Sequence, residues 1–429
     1  MKKAYLFKGG RVIDPANSVD EIRDLRIEDG RVVKEFSMAA KPEEIDVKGK
    51  VVCPGLIDIH VHLREPGQSA KETIESGTQA AAAGGFTSVV AMPNTSPPVD
   101  GVNTVAWILE RAKAKGVVNV YPTGCISQGM QGELLAPIGS LWKAGVVAIT
   151  DDGRCIQNNE LMRHALEYAK MFNLPVMDHC QDYPLSADGV MNEGYWSAVL
   201  GLKGWPAIAE EVIVARNALL AELTGCHVHC QHVTTAGAVR IIREAKERGV
   251  PISGEVCPHH ICLTDEKLQN YDSNFKMNPP LRTPRDIKAL LDGVKDGTIE
   301  YLASDHAPHC NYEKEVEIDD APFGVVGLET ELALFHTHLV LAKVLTLQQM
   351  IERLTVKAAE LLHLPKGTLQ VGAEADVTVF DPALKWTVDK AKFLSKSHNT
   401  PFHGMELTGR AVMTMVGGRL VWTLEKGIL

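Results

Sequence analysis

Residues 55–67 read GLIDIHVHLREPG, and this stretch decides the fold. Leu56, Ile57 and Ile59 form the apolar body of a strand buried on both faces, as in a parallel sheet. His60 and His62 lie two apart, so in extended chain they project from the same side at the strand's C-terminal end. Two imidazoles so placed can share one metal ion. Arg64 follows at the next same-side position, where its planar guanidinium can grip a carboxylate with two parallel hydrogen bonds. The competing interpretation, two surface histidines beside a structural arginine, loses ground as the later strands are read.

Outward from this strand, apolar runs and helical runs alternate at steady spacing, the signature of parallel βα units. Strands are expected at 56–62, 86–94, 119–126, 145–152, 175–180, 226–233, 251–259 and 299–306, and eight is the number that closes a barrel. The stretches 72–84, 103–116, 159–172, 207–223 and 235–249 carry apolar residues at helical spacing. The third and seventh units are the least regular. Residues 55–362 are therefore expected to form a (β/α)8 TIM-type barrel. Residues 1–54 and 363–429 instead hold short alternating runs, with turns at Asp29-Gly30 and Gly417-Gly418. The two ends should build one small β-sandwich domain together.

A chain of 429 residues with 45% hydrophobic content supports a large core. Its formal charge of −10, with no basic tract, disfavours nucleic acid or an anionic membrane as partner and leaves a small-molecule substrate. No uninterrupted apolar segment reaches membrane-spanning length, and none of signal-peptide length opens the chain, so a cytoplasmic protein is expected. Nine cysteines without any CxxC fit reduced thiols. Cys226, Cys230, Cys257 and Cys262 have the wrong spacing for a structural zinc cluster.

Barrel enzymes assemble their sites at the C-terminal ends of the strands. Here those ends hold His60 and His62, Asn94, Asp151-Asp152-Gly153, His179, His232, His259-His260 and Asp305. Four histidines and two aspartates offer N and O ligands for one or two zinc ions, without sulfur. In CHVHCQHV, His232 lies nearest the strand end, and His227 and His229 are read as core or supporting residues. His259 and His260 are given a hydrogen-bonding or structural role. His164, His336, His338, His363, His398 and His403 fall on helices or in the tail and are read as structural. Asp305 can both ligate metal and act as general base, then general acid, for the attacking water. His309 lies in the loop above it. Asn278 in KMNPPLR and Phe323-Gly324 in APFGVVGLE are loop positions that can meet a substrate.

Together DIHVHLREPG, AMPNT, ITDDG, KMNPPLR, SDHAPH and PFGVVGLE closely resemble the bacterial type I dihydroorotases of the amidohydrolase superfamily, over residues 55–330 and the flanking β segments. The resemblance implies a zinc enzyme of pyrimidine biosynthesis that interconverts dihydroorotate and N-carbamoyl-L-aspartate. It implies metal ligation by His60, His62, Asp152, His179, His232 and Asp305, catalysis by Asp305, and substrate binding by His62, Arg64, Asn94, Asn278, His309, Phe323 and Gly324. It further implies a homo-oligomer, in some relatives associated with aspartate transcarbamoylase. Many cyclic amidohydrolases bridge two metals with a carboxylated lysine at the end of strand four. This chain has AITDDG there and Lys143 only before the strand, so Asp152 is the expected bridge and Asp151 the weaker one. The rivals are a hydantoinase or allantoinase, a metal-free scaffold for a transcarbamoylase, and a deaminase on the same barrel. Arg64, the absent lysine and the intact ligand set argue against them.

Overall fold

The computed structural model describes residues 3–429. Seven parallel strands and one strand-like segment close a barrel. The first three are Leu56–Val61, Phe86–Ala91 and Asn119–Pro122. The fifth to eighth are Val176–Asp178, Val228–Cys230, Ile252–Val256 and Tyr301–Leu302. Ile149 bridges the two groups through parallel contacts with Gly124 and Val176, and Val61 closes the ring against His306.

The fourth position was expected to be a strand over 145–152, yet it forms only isolated bridges. The reason lies in its neighbours. Val147 and Ile149 donate their amides to the carbonyls of Pro122 and Pro175, but neither proline has an N–H to return. The ladder on both sides is thereby thinned. Other strands are shorter than expected, and His259 and His260 lie on a short helix, Pro258–Cys262, opened by Pro258 at its first turn.

The outer helices follow the apolar periodicity closely: Ile74–Gly84, Val102–Lys115, Asn159–Lys170, Ile208–Thr224 and Ala236–Glu247. Thr73, Asn158 and Thr235 cap three of them with side-chain oxygens that accept first-turn amides. The irregular third and seventh units place their helices late, at Ile138–Ala144 and Pro284–Asp296. Ile57, Ile59, Val90, Met92, Met177 and Ala303 pack together as one apolar cluster, closed by Ala358, Leu361 and Leu362. Among the described residues no helix is long and apolar enough to cross a membrane.

Strands from both chain ends share one nine-stranded sheet. Val51–Pro54 runs parallel to Ala4–Asp14 and antiparallel to Val377–Phe380, which joins the two halves. Phe7, Val12, Leu25, Val52, Val377 and Met415 fill a common apolar layer. The Asp29-Gly30 and Gly417-Gly418 turns both form with positive φ, as two-residue hairpins require.

Gly55 is the hinge between sheet and barrel. Its amide donates to Asp376 O at 2.9 Å, and a Cβ there would overlap the Thr87 side chain. Gly55→Ala should therefore destabilise the protein by about 1–3 kcal/mol through overpacking, read as a lowered midpoint of urea unfolding. An unchanged midpoint would mean that the junction is free to shift.

Candidate metal centre and substrate cavity

The residues singled out at the strand ends converge. His60 Nε2 lies 3.4 Å from Asp152 Oδ1 and 3.5 Å from Asp305 Oδ1. His62 Nε2 lies 3.1 Å from Asp305 Oδ1 and 3.4 Å from Asp152 Oδ2. His179 Nδ1 and His232 Nε2 are 2.8 Å apart and face Asp152 Oδ1 at 3.6 and 3.7 Å. Three overlapping triads have donor atoms close enough to share an ion: His60–His62–Asp152, Asp152–His179–His232 and His60–His232–Asp305. All six residues are at most 7% exposed.

The backbone makes this convergence possible. Arg64, His232 and Asp305 all adopt positive φ, at 60°, 32° and 48°. Such a conformation costs a non-glycine residue about 1–2 kcal/mol and is found where surrounding structure over-determines it. Here it swings the chain out of strand alternation just past the first, sixth and eighth strands. The simple count of same-side positions from His60 to Arg64 therefore fails after His62, because the strand stops at Val61.

The electrostatics are those of a donor set that balances charge internally. Burial opposes protonation of His60, but Asp152, Glu255 and Asp305 outweigh it and raise its pKa well above the ordinary value. Burial likewise opposes ionisation of Asp152, yet His60, His179 and His232 hold its carboxyl well below the usual range. Asp305 is lowered too, since His60, His62 and His232 overcome its burial. Both carboxylates are thus ionised at neutral pH. Buried N and O atoms without partners remain at His60 Nε2, Asp152 Oδ1 and His232 Nδ1. The first two belong to the triads' facing atoms, so the residues fit a divalent cation that favours nitrogen and oxygen donors.

Above the centre lies a cavity of about 560 Å³. The expected substrate residues His62, Arg64, Asn94, Asn278, His309, Phe323 and Gly324 all line it, with Asp152, His179, His232 and Asp305 at its floor. Asn94 Oδ1 pairs with His62 Nδ1 at 2.9 Å, linking the second strand to the first. Arg64 donates Nε–H to Pro308 O at 3.1 Å. Lys71 Nζ approaches His309 Nδ1 at 3.3 Å and can only donate, so His309 Nε2 carries the hydrogen and donates it to Phe323 O at 2.8 Å. Arg64 Nη2 lies 3.3 Å from that same Nε2, which already carries a hydrogen, so the guanidinium keeps its Nη donors for a ligand. Burial, then Arg64, Lys71 and Lys314, push the His309 pKa down to about 2, so the ring is neutral.

The Phe323-Gly324 loop is pinned from several sides. Lys276 Nζ lies over the Phe323 ring at 4.6 Å, and Asn399 Nδ2 donates to both Ala307 O and Gly324 O at 3.1 Å. Gly324 has φ +123°, and a Cβ there would come within 2.7 Å of Ala307 Cβ, so only glycine fits.

Several contributors escaped sequence reasoning. Glu255, wholly buried on the seventh strand, accepts from His60 Nδ1 at 2.6 Å, from the His232 amide at 3.1 Å and from His229 Nε2 at 3.0 Å. A lone carboxylate inside the apolar run ISGEV was its only signal. Asp58 accepts from the amides of His60 and Ser304 at 3.0 and 3.3 Å, tying the first strand to the segment that carries Asp305. Gln181 Oε1 meets His179 Nε2 at 3.0 Å, and Arg154 lines the cavity wall. Asp151 points away from the centre, towards the amides of Ile126 and Ser127. His260 bonds Pro279 O, and His227 and His229 bond Ser253 inside the barrel.

Comparison with known proteins agrees with this geometry. Residues 49–238 match the family model described as dihydro-orotase-like. The dihydroorotase of Pelotomaculum thermopropionicum is 54% identical over 418 residues, covering 97% of this chain and 98% of that protein. That of Trichlorobacter lovleyi is 50% identical over 421 residues, covering 97% and 99%. Among solved structures, the L-hydantoinase (dihydropyrimidinase) from Arthrobacter aurescens superimposes with a TM-score of 0.88 at 25% identity, covering 100% of this chain and 98% of that one. The dihydropyrimidinase from Brevibacillus agri gives 0.86 at 25%, covering 98% and 95%. With this fold, this metal-binding group and relatives half identical along nearly its whole length, the chain belongs to the dihydroorotase family of cyclic-amide hydrolases.

Proposed function

We propose that this chain is a zinc-dependent dihydroorotase, reversibly hydrolysing the ring amide of (S)-dihydroorotate to N-carbamoyl-L-aspartate on the route to pyrimidine nucleotides. The observation that carries the reading is the placement of an unspent arginine fork and a six-residue ligand group on one cavity. A cyclic amide bearing a carboxylate needs both.

Zinc held by His60, His62, Asp152, His179, His232 and Asp305 would supply Lewis-acid polarisation of the scissile carbonyl and a water of lowered pKa. His60, His232 and Asp152 each belong to two of the triads, and of the three only Asp152 offers two ligating oxygens, so it is the residue we assign to serve a second ion should two be held. The Nη donors of Arg64 grip the substrate carboxylate, and Asn94 stands beside them at the cavity wall. Asn278 Oδ1 is buried without a partner and is left to accept a substrate N–H. The Phe323-Gly324 backbone closes the far side. Asp305, ionised, takes a proton from the attacking water on a carboxylate oxygen and delivers it to the departing ring nitrogen. In ring closure the protonated Asp305 gives that proton to the departing water. Hydrolysis creates a second carboxylate, so one proton is released to solvent per turnover at neutral pH.

Loss of ultraviolet absorbance on dihydroorotate tests the reading, with hydantoin and allantoin as controls. Turnover of those controls in place of dihydroorotate would defeat the substrate assignment. Asp305→Ala should lower kcat by about 10²–10⁴-fold, the usual contribution of a general acid–base. Arg64→Ala should lower kcat/KM by about 10²-fold or more, from the loss of charge-assisted hydrogen bonds worth about 1.5–3 kcal/mol each. Removal of metal by chelation should abolish turnover and lower the thermal midpoint, and zinc should restore both. Activity that survived in metal-free protein would overturn the mechanism.

A further inference from the structure

His60 Nδ1 opens a hydrogen-bonded chain that runs away from the substrate cavity. Glu255 Oε1 meets it at 2.6 Å, and Glu255 Oε2 meets His229 Nε2 at 3.0 Å. His229 Nδ1 meets Ser253 Oγ at 2.9 Å, and Ser253 Oγ meets His227 Nε2 at 2.7 Å. His229 and Ser253 are register partners on the sixth and seventh strands, so the chain follows the barrel interior. His60, Glu255, His229 and Ser253 are at most 1% exposed. His227 precedes the sixth strand and lines a separate cavity of about 220 Å³ with Lys170, Tyr301 and His363, at the end of the barrel away from the mouth.

Proton accounting gives the chain a direction. A carboxylate only accepts, so both His60 Nδ1 and His229 Nε2 donate to Glu255. Ser253 has one hydroxyl proton for two rings. If His227 Nε2–H donates to the Ser253 oxygen, the Ser253 proton goes to His229 Nδ1 and the order is complete. Every link of the path then joins one donor to one acceptor, and His60, held by Nδ1–H, has its Nε2 left to meet a cation at the triads.

We propose that Glu255, His229, Ser253 and His227 form a positioning relay that fixes the tautomer and orientation of His60. Through the His232 amide, Glu255 also fixes the left-handed turn at that second ligand. The relay thereby sets how tightly the centre holds its metal. It rests on the metal-centre reading and extends it to residues that touch neither metal nor substrate. Partners that orient a ligating histidine typically govern metal affinity by about 10–100-fold.

The test uses the full chain, with zinc affinity measured by competition against a chromophoric chelator. Glu255→Gln should weaken zinc binding about 100-fold and Ser253→Ala about tenfold, each with little change in the KM for dihydroorotate. Ser253→Thr, which keeps the hydroxyl, should restore affinity. The Ser253→Ala, Glu255→Gln double variant should be no weaker than Glu255→Gln alone, because the relay is already cut. Nitrogen-15 NMR of the metal-free protein should show His229 protonated at Nε2 and bare at Nδ1, and this should change in Ser253→Ala. Unchanged zinc affinity in Ser253→Ala, the opposite His229 tautomer, or losses that multiply in the double variant would overturn the relay. Should Glu255→Gln fail to fold, the Ser253→Ala and Ser253→Thr pair decides alone. Failure of the wild-type protein to hydrolyse dihydroorotate would strike the substrate assignment, while chelator competition and NMR would still decide the relay.

Discussion

Two carboxylates and four imidazoles pressed together at the mouth of a barrel, nearly closed to water, are the constraint on which the structure depends. Burying an ionised carboxylate is costly unless charge and hydrogen bonds compensate it. Asp152 and Asp305 meet that condition only because His60, His62, His179 and His232 arrive from other strands at the same place. The barrel is the device that delivers them, since parallel strands end at one face. Glu255 and Asp58, one layer deeper, hold the ligand-bearing backbones so that the group cannot relax apart.

Much of this was legible because strand-end chemistry leaves a pattern. His60, His62, Asp152, His179, His232 and Asp305 each follow an apolar run, and strand-end placement puts them on one face whatever the exact strand lengths. What escaped has physical reasons. Glu255 has no partner at a telling spacing, since its contacts come from the first strand and, across an intervening helix, from the sixth. The fourth strand position fails to pair continuously because of prolines that belong to its neighbours, which periodicity within 145–152 cannot report. The left-handed turns at Arg64, His232 and Asp305 are written in no residue type, because only packing around them makes such φ values tolerable.

The cavity divides its work between rigid and adaptable parts. Metal-binding side chains stand on or just beyond strands, where position is tightly held, whereas Asn278, Phe323 and Gly324 stand on loops. Those loops are nonetheless braced, by the cation–π contact of Lys276 with Phe323 and by Asn399. Asn399 comes from the C-terminal stretch that returns to build the sheet, so the sheet-forming end of the chain also supports the substrate wall.

The pairing of Val51–Pro54 with Val377–Phe380 has a bearing on biosynthesis. These partners lie more than 300 residues apart and flank the whole barrel. While the chain emerges from the ribosome, the strand that leads through Gly55 into the first barrel strand must wait for its antiparallel neighbour until most of the protein has been made. Contacts this distant are slow to form and leave an unpaired edge exposed in the interval. Pairing with Ala4–Asp14 can form early, but the barrel's first strand, which carries His60, gains its second sheet-side neighbour only after the whole barrel has been made, so the metal centre is fully braced late in synthesis.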